Sequence, residues 1–353
     1  MRGCWAAAVC RWICRSAPLF AVACSGSDET SITQLALRGT PAGDAAPSHP
    51  IAFASNRYSD ERSDIVSMAL DGSVQPVTQG QSAFQPRWSP SGSSLAYREQ
   101  VENTYAEVGL VAPDGTERVV LTTGELSIFG EFPVAWAPDE SGVAFATRRE
   151  GDTTRIWFVP REGGPGAPWL AGDSVDRREL AWSSDARRIA FADYDRGASR
   201  HSDGISKDLW VADAADPLRA INVTMGRVYA PINVRWAPDS RRIAFQGYAL
   251  AADGSIEAIS AHEESGPYMP PDYETFIIDV DTTELTRVTA DAADEKGVAW
   301  SPDGTELLIS SDRDGDFDLW LVSLVEPGRD LDLIDDNDDP FDDYWPDWFA
   351  ARR

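Results

Sequence analysis

Two histidines in this sequence stand beside carboxylates: His201 lies two residues before Asp203, and His262 adjoins Glu263. Imidazole with carboxylate is the donor set of zinc and of general acid–base chemistry. Neither pair shows the short ligand spacing of a metal motif, so both histidines read as exposed loop residues. A second constellation, "DRDGDFD" at 312–318, sets carboxylates at alternate positions in the manner of a calcium loop. Such a loop needs Gly at its sixth position and Glu at its twelfth, where Phe317 and Ser323 stand. The corresponding stretch "NRYSDERSD" at 56–64 marks both as polar β-turns. The aspartates 335, 336, 338, 339, 342 and 343 form a run without lysine. Charge runs of this kind are solvated as a rule. A weak structural calcium site is the one metal worth testing there, and no other cofactor is expected.

No nucleophile elbow "G-x-S-x-G", zinc motif "H-E-x-x-H" or phosphate loop occurs, and the cysteines are confined to the first 24 residues. No catalytic residue is therefore nominated; His201, Arg57 and Arg313 are the scattered groups that a lyase or hydrolase would use. A binding surface is easier to place. The stretch "GYALAADGSIEAISAHEESGPYMPPDYE" at 247–274 sets Tyr248, Tyr268, Met269 and Tyr273 beside prolines, and aromatics give large contact area at low entropic cost. With the stretch 193–208 it gives a candidate binding face of His201, Asp203, Tyr248, His262, Tyr268 and Tyr273.

Composition limits what this face can bind. Lys+Arg 31 against Asp+Glu 58 gives a net charge of -27, which repels nucleic-acid phosphates and anionic lipid headgroups alike. With 42% apolar residues the chain buries a large core, and no disulfide framework supports it. Arg2, Arg11 and Arg15 precede the apolar run Ala17–Ala23, an order that reads as an export signal, too short to span a bilayer. The run ends "FAVAC", which resembles a bacterial lipobox, although Ala21 stands where the pattern prefers Leu. That resemblance implies cleavage before Cys24 and lipidation of its thiol, against the alternative of an ordinary secretory signal. Residues 1–23 are thus the signal and 24–50, rich in Ser, Gly, Ala, Thr and Pro, a flexible tether.

The elements that must position the inserts come from a repeat. Trp88, Trp136, Trp182, Trp236 and Trp300 open "WSPSG", "WAPDE", "WSSDA", "WAPDS" and "WSPDG", and an apolar triplet begins seven residues after each: "LAY", "VAF", "IAF", "IAF" and "LLI". The intervals of 48, 46, 54 and 64 residues are about the length of a four-stranded propeller blade. Each unit predicts a Trp strand, a turn, a second strand with two large residues on one face and Ala on the other, a third strand such as "DLWVAD" at 208, and a short fourth such as "LTRVT" at 285. Glu140, Ala186 and Ser240 replace the turn glycine in three units, so those turns are either strained or of another type. The first unit, "IAF" at 51, lacks a Trp strand, while "PDW" at 346–348 has no second strand after it. The two defects complement each other. The expected fold is all-β: a six-bladed β-propeller of four-stranded antiparallel blades over 51–349, closed by pairing the C-terminal Trp strand with the N-terminal strand.

These units resemble those of the TolB-type propeller, whose repeats run "P-x-W-S-P-D-G-x-x-I-A-F" and then a hairpin, "D-I-Y/W" and "L-T". The resemblance covers 51–349; the α/β domain that precedes the propeller in TolB has no counterpart here. Together with the lipobox-like N-terminus, it implies a non-catalytic, monomeric, exported lipoprotein of the bacterial cell envelope, membrane-bound through its anchor only. The implied partner is an envelope protein or a peptidoglycan-associated one. Similar propellers also occur in peptidases and in sugar-acid lyases, so a carbohydrate-active lyase or hydrolase with its site in the channel is the alternative.

Overall fold

The computed structural model describes residues 47–59, 62–102, 105–122, 126–127, 133–147, 154–169, 176–195, 206–251, 256, 273–326, 328, 330–333 and 341–351. Among them the chain forms six antiparallel sheets, each a path of four strands, with no helix; one sheet carries an additional two-residue strand. The innermost strands of the second to sixth blades are Ala83–Trp88, Ala135–Trp136, Asp176–Trp182, Val228–Trp236 and Glu295–Trp300. The first blade borrows its innermost strand from the other end of the chain. Asp343–Trp348 pairs antiparallel with Ile51–Ser55, placing Trp348 opposite Ile51 and Asp343 opposite Ser55. The expected closure is present.

Six apolar cores, one between each pair of neighbouring blades, hold the ring. The second strands divide between them as their alternation requires. Ile189 and Phe191 face the core shared with the third blade, whereas Ala190 faces the fifth. Ile243 and Phe245 face back to the fourth blade, and Ala244 faces forward to the sixth. A methyl on the forward face lets the next blade's large residues approach. The repeated tryptophan has a polar reason as well: the indole N–H of Trp136, Trp236 and Trp300 donates to the carbonyl of Arg87, Ala181 and Arg235 respectively, at 3.0–3.1 Å. Each accepting residue immediately precedes the Trp position of the blade before, so phenylalanine would keep the packing and lose the latch.

The fourth strands end slightly before the segments expected from sequence, as at Val74–Pro76 and Leu285–Arg287. The threonines that follow act as side-chain locks. Thr78, Thr122, Thr224 and Thr289 accept from the backbone N–H of Ile65, Val108, Leu209 and Thr275 at 2.8–2.9 Å, and Thr78 and Thr224 also donate to the buried Asp64 and Asp208.

All five first-to-second-strand turns share one geometry, each closed by an i to i+3 backbone bond of 2.9–3.0 Å. Gly92 and Gly304 take φ of 73° and 72°, and Glu140, Ala186 and Ser240 follow them at 58°, 62° and 57°. The turns without glycine are strained rather than of a different type. Two of the three side chains bind a neighbouring blade in return: Glu140 accepts from the Ser91 N–H and from Arg161, and Ser240 accepts from the Asp185 N–H. Ala186 has no side-chain group to do so. A left-handed non-glycine residue costs about 1–2 kcal/mol, partly offset by the flexibility glycine adds to the unfolded chain. Ala186→Gly should therefore stabilise the protein by about 0.5–1 kcal/mol, while Glu140→Gly, which removes two bonds, should not; thermal melts of the two variants check this.

Ring closure is tested by truncation. Ending the chain after Asp343 removes Trp345, Trp348 and Phe349 from two inter-blade cores, whereas removing 350–353 touches neither. The first truncation should lower the melting midpoint far more than the second, and equal effects would show that the closing strand is dispensable.

Candidate functional site

The residues nominated from sequence do not assemble into one site. Cys24, His201, Asp203, His262 and Tyr268 lie outside the described residues. Tyr273 is half-buried, and Tyr248 is not part of a surface at all: it is 4% exposed. The second strand of the fifth blade runs on to Ala249, so Tyr248 belongs to the sheet rather than the insert, stacked on Tyr273 at 4.4 Å and beside Tyr229 at 6.2 Å. Arg57 and Arg313 are committed to structure. Arg57 donates to Asp343 at 2.6 Å and to the Ser55 hydroxyl, and Arg313 pairs with Asp330 at 2.9 Å and lies over the Trp320 ring.

The aspartate run divides. Asp343 is fully buried against Arg57, and Asp342 accepts from the Phe317 N–H; the members between 335 and 339 lie outside the described residues. In the 312–318 turn, carboxylate oxygens of Asp314, Asp318 and Asp332 come within 4.8 Å of one another. Burial, and then the charges of Asp332, Asp314, Asp316 and Asp343, push Asp318 up to about 8. Like charges at this distance oppose joint ionisation, which a proton on Asp318 relieves.

Among the described residues a concentration of buried charge lies in the central channel, built from residues other than the His201, Arg57 and Arg313 that the sequence suggested for a channel site. Two positions of the innermost strands build it. Three residues before each Trp stands Gln85, Pro133, Glu179, Asn233, Gly297 or Trp345. Five of these are left-handed, with φ of 54°, 55°, 53° and 50° at Gln85, Glu179, Asn233 and Trp345 and 105° at Gly297. The strand pairing shifts register beside each of them, so they form a repeated bulge. Proline cannot take positive φ, and the strand of the third blade forms only after Pro133, at Ala135. Gly297 has a steric reason besides: a Cβ there would lie 2.5 Å from the Trp345 Cα.

The bulges interlock around the axis. Glu179 Oε2 accepts from the Val234 N–H of the next blade at 3.4 Å. Gln246 accepts from Asn233 at 2.8 Å and from the Gly297 N–H at 2.8 Å, tying the fifth blade to the sixth.

One residue before each Trp stands Arg87, Ala135, Ala181, Arg235, Ala299 or Asp347. Arg235 Nε lies 3.5 Å from Asp347 Oδ1. They belong to the fifth and first blades, which are not neighbours, so this ion pair crosses the channel. Asp347 Oδ2 accepts the Trp88 N–H at 2.8 Å, and Arg87 lies within the fields of both Asp347 and Glu179. Burial draws the Arg87 guanidinium below its usual range against these two acids, and raises Asp347 against the pull of Arg87. Burial also pushes Glu179 up to about 8, again opposed by Arg87. Burial thus biases both Glu179 and Asp347 toward their neutral forms, while Arg87 opposes the shift in each.

A cavity of about 170 Å³ lies there, lined by Arg87, Arg235 and Asp347, by five of the repeat tryptophans, and by Ala135 and Ala181. Ser89, Pro90 and Ser184, which follow the tryptophans, also line it, so it sits at the turn end of the channel. The hairpins that contain the long inserts leave the opposite ends of the second strands.

The chain superposes on TolB from Acinetobacter baumannii over 87% of its own length and 67% of that chain, with a TM-score of 0.62 and 17% identity. Its fold is that of the TolB propeller. A chain of a nidogen–laminin complex shares the propeller at a TM-score of 0.58 and 8% identity, over 86% of this chain and 99% of that one. In sequence, an uncharacterized peptidase, YuxL of Bacillus subtilis (strain 168), is 21% identical over 240 residues. That match takes in 67% of this chain but 30% of YuxL, so the chain spans under a third of its curated relative. No protein-family model matches the chain. At these identities the likeness is one of fold, and the TolB-type propeller is what the sequence repeats implied.

Glu179 gives the channel a pH signature. A carboxyl raised from 4.5 to about 8 stabilises the fold fully below 4.5, and that contribution is lost as pH rises through 8. Glu179→Gln, which keeps an acceptor for Val234, should match the wild type in melting midpoint at pH 4 and exceed it above pH 8; superimposable pH profiles would show that Glu179 ionises normally.

Proposed function

We propose that this protein is an exported, lipid-anchored binding module of the bacterial cell envelope, non-catalytic, which holds a partner protein on the face that carries its two long inserts. The observation that carries this reading is the uneven length of the second-to-third-strand hairpins. In the sixth blade 312–317 connect these strands, and in the first 56–63 do; in the fourth and fifth blades the connections are 196–205 and 250–273. Expansion concentrated in the fifth blade, whose connection of 24 residues compares with 10 in the adjoining fourth, is how a propeller acquires a recognition surface. The fold shared with TolB is consistent with an interaction role.

Lipidation at Cys24 and a tether over 24–50 would hold the ring clear of the membrane while leaving the insert face accessible. The partner expected is an envelope protein or one associated with peptidoglycan. A catalytic reading would instead draw on the protonated Glu179 in the channel, and glycan turnover lost in Glu179→Gln would favour it.

Deletion of 251–272 separates recognition from folding. Immobilised protein without this segment should melt at the wild-type temperature and fail to retain an envelope protein that the intact protein captures. Capture unchanged by the deletion would place recognition elsewhere, and collapse of the fold would make the segment structural.

A further inference from the structure

The turn end of the channel has donors that the fold itself does not use. Arg87 is 6% exposed; its Nη1 donates to the Pro86 carbonyl at 2.6 Å, while its Nε and Nη2 have no hydrogen-bond acceptor among the described residues. Arg235 repeats the pattern: Nη1 donates to the Val234 carbonyl at 3.0 Å, Nη2 has no acceptor among the described residues, and Nε has only the long approach to Asp347. Buried charged donors left in this state are costly, and here two of them, from the second and fifth blades, line one cavity.

The walls define that ligand. A guanidinium presents parallel N–H groups that match the two oxygens of a carboxylate. Around the arginines the lining combines Trp88, Trp136, Trp182, Trp236, Ala135 and Ala181 with the polar Ser89, Ser184 and Asp347. Its volume of about 170 Å³ is close to that of a cavity, about 150 Å³, that accommodates benzene. A phosphate dianion would fill it poorly and would leave the indole walls in contact with charged oxygen. We propose that this cavity binds a small organic acid, aromatic or branched aliphatic, with its carboxylate on Arg87 and Arg235 and its apolar body against the tryptophans. The site is independent of the insert face, since the two lie at opposite ends of the channel.

Benzoate is the probe. Titration calorimetry on the whole protein, with chloride, acetate and inorganic phosphate as arms at equal ionic strength, should give saturable binding of benzoate, weaker binding of acetate, and none of phosphate beyond chloride. Arg87→Gln should weaken benzoate by about tenfold or more, the worth of one charge-assisted bond. Ala181→Leu should abolish binding by filling the cavity while leaving both guanidinium groups in place. It decides the question should Arg87→Gln fail to fold. Heat from benzoate no greater than from chloride, tighter binding of phosphate than of benzoate, or benzoate affinity unchanged in Ala181→Leu would each overturn the assignment.

Discussion

Everything in this molecule depends on six residues from its far end pairing with five from its start. The antiparallel match of Asp343–Trp348 with Ile51–Ser55 completes the first blade, and only a closed ring leaves no innermost strand without a neighbour on either side. Bringing together segments separated by 286 residues costs entropy, but loop closure grows only logarithmically with length. The return is concentrated. Trp348 enters the core between the sixth and first blades, and Trp345 and Phe349 enter the core between the first and second. Arg57 and Asp343 add a buried ion pair whose loss of one partner would cost about 3–5 kcal/mol. The same strand supplies Asp347, the acid that balances the channel arginines.

The channel follows from a second constraint. Six strands converging on an axis cannot all remain regular, and here five bend by a left-handed residue at the same place, three before the tryptophan. Each such residue other than glycine costs about 1–2 kcal/mol. The cost is offset where the bulge makes polar bonds: Glu179 accepts from Val234 of the next blade, and Asn233 donates within its own blade to Gln246, which in turn accepts from Gly297 of the sixth. The bulge thus turns a packing problem into a ring of inter-blade bonds. It also fixes the side chain one residue before the tryptophan, the position from which Arg87, Arg235 and Asp347 reach the cavity.

How legible this was depended on whether a feature repeats. Blade number, the division of large and small residues across the second strand, and the closing strand all recur with a fixed offset from tryptophan, and periodicity reveals them. The channel does not recur. Its two critical positions read Gln, Pro, Glu, Asn, Gly, Trp and Arg, Ala, Ala, Arg, Ala, Asp around the ring, so a search for self-similarity treats them as variation. What makes Arg235 and Asp347 a pair is their position across an axis, and no spacing along the chain encodes that. A glutamate or tryptophan at positive φ is equally silent in sequence, although Asn233 and Gly297 at equivalent places hint at it. Tyr248 was misread for a different reason: an insert's edge was judged from blade length, while the sheet continues to Ala249 and takes the tyrosine with it. Asp343, one of a run that read as solvated charge, is fully buried because its strand neighbours demand pairing.

The charge distribution ties these features together. A protein of net charge -27 repels anions at long range, yet screening confines that field to about 8 Å at physiological ionic strength. The arginines in the channel act only at contact, in a lining of indole, methyl, serine and Asp347 groups where burial keeps screening by salt slight. Such a site cannot gather ligands by steering and must discriminate by fit. Burial raises both Glu179 and Asp347 toward their neutral forms, and that favours the positive charge of the two guanidinium groups. The bulge that holds Glu179 at the strand's bend therefore also contributes to the electrostatics of the channel, so the backbone irregularity and the charge balance are linked.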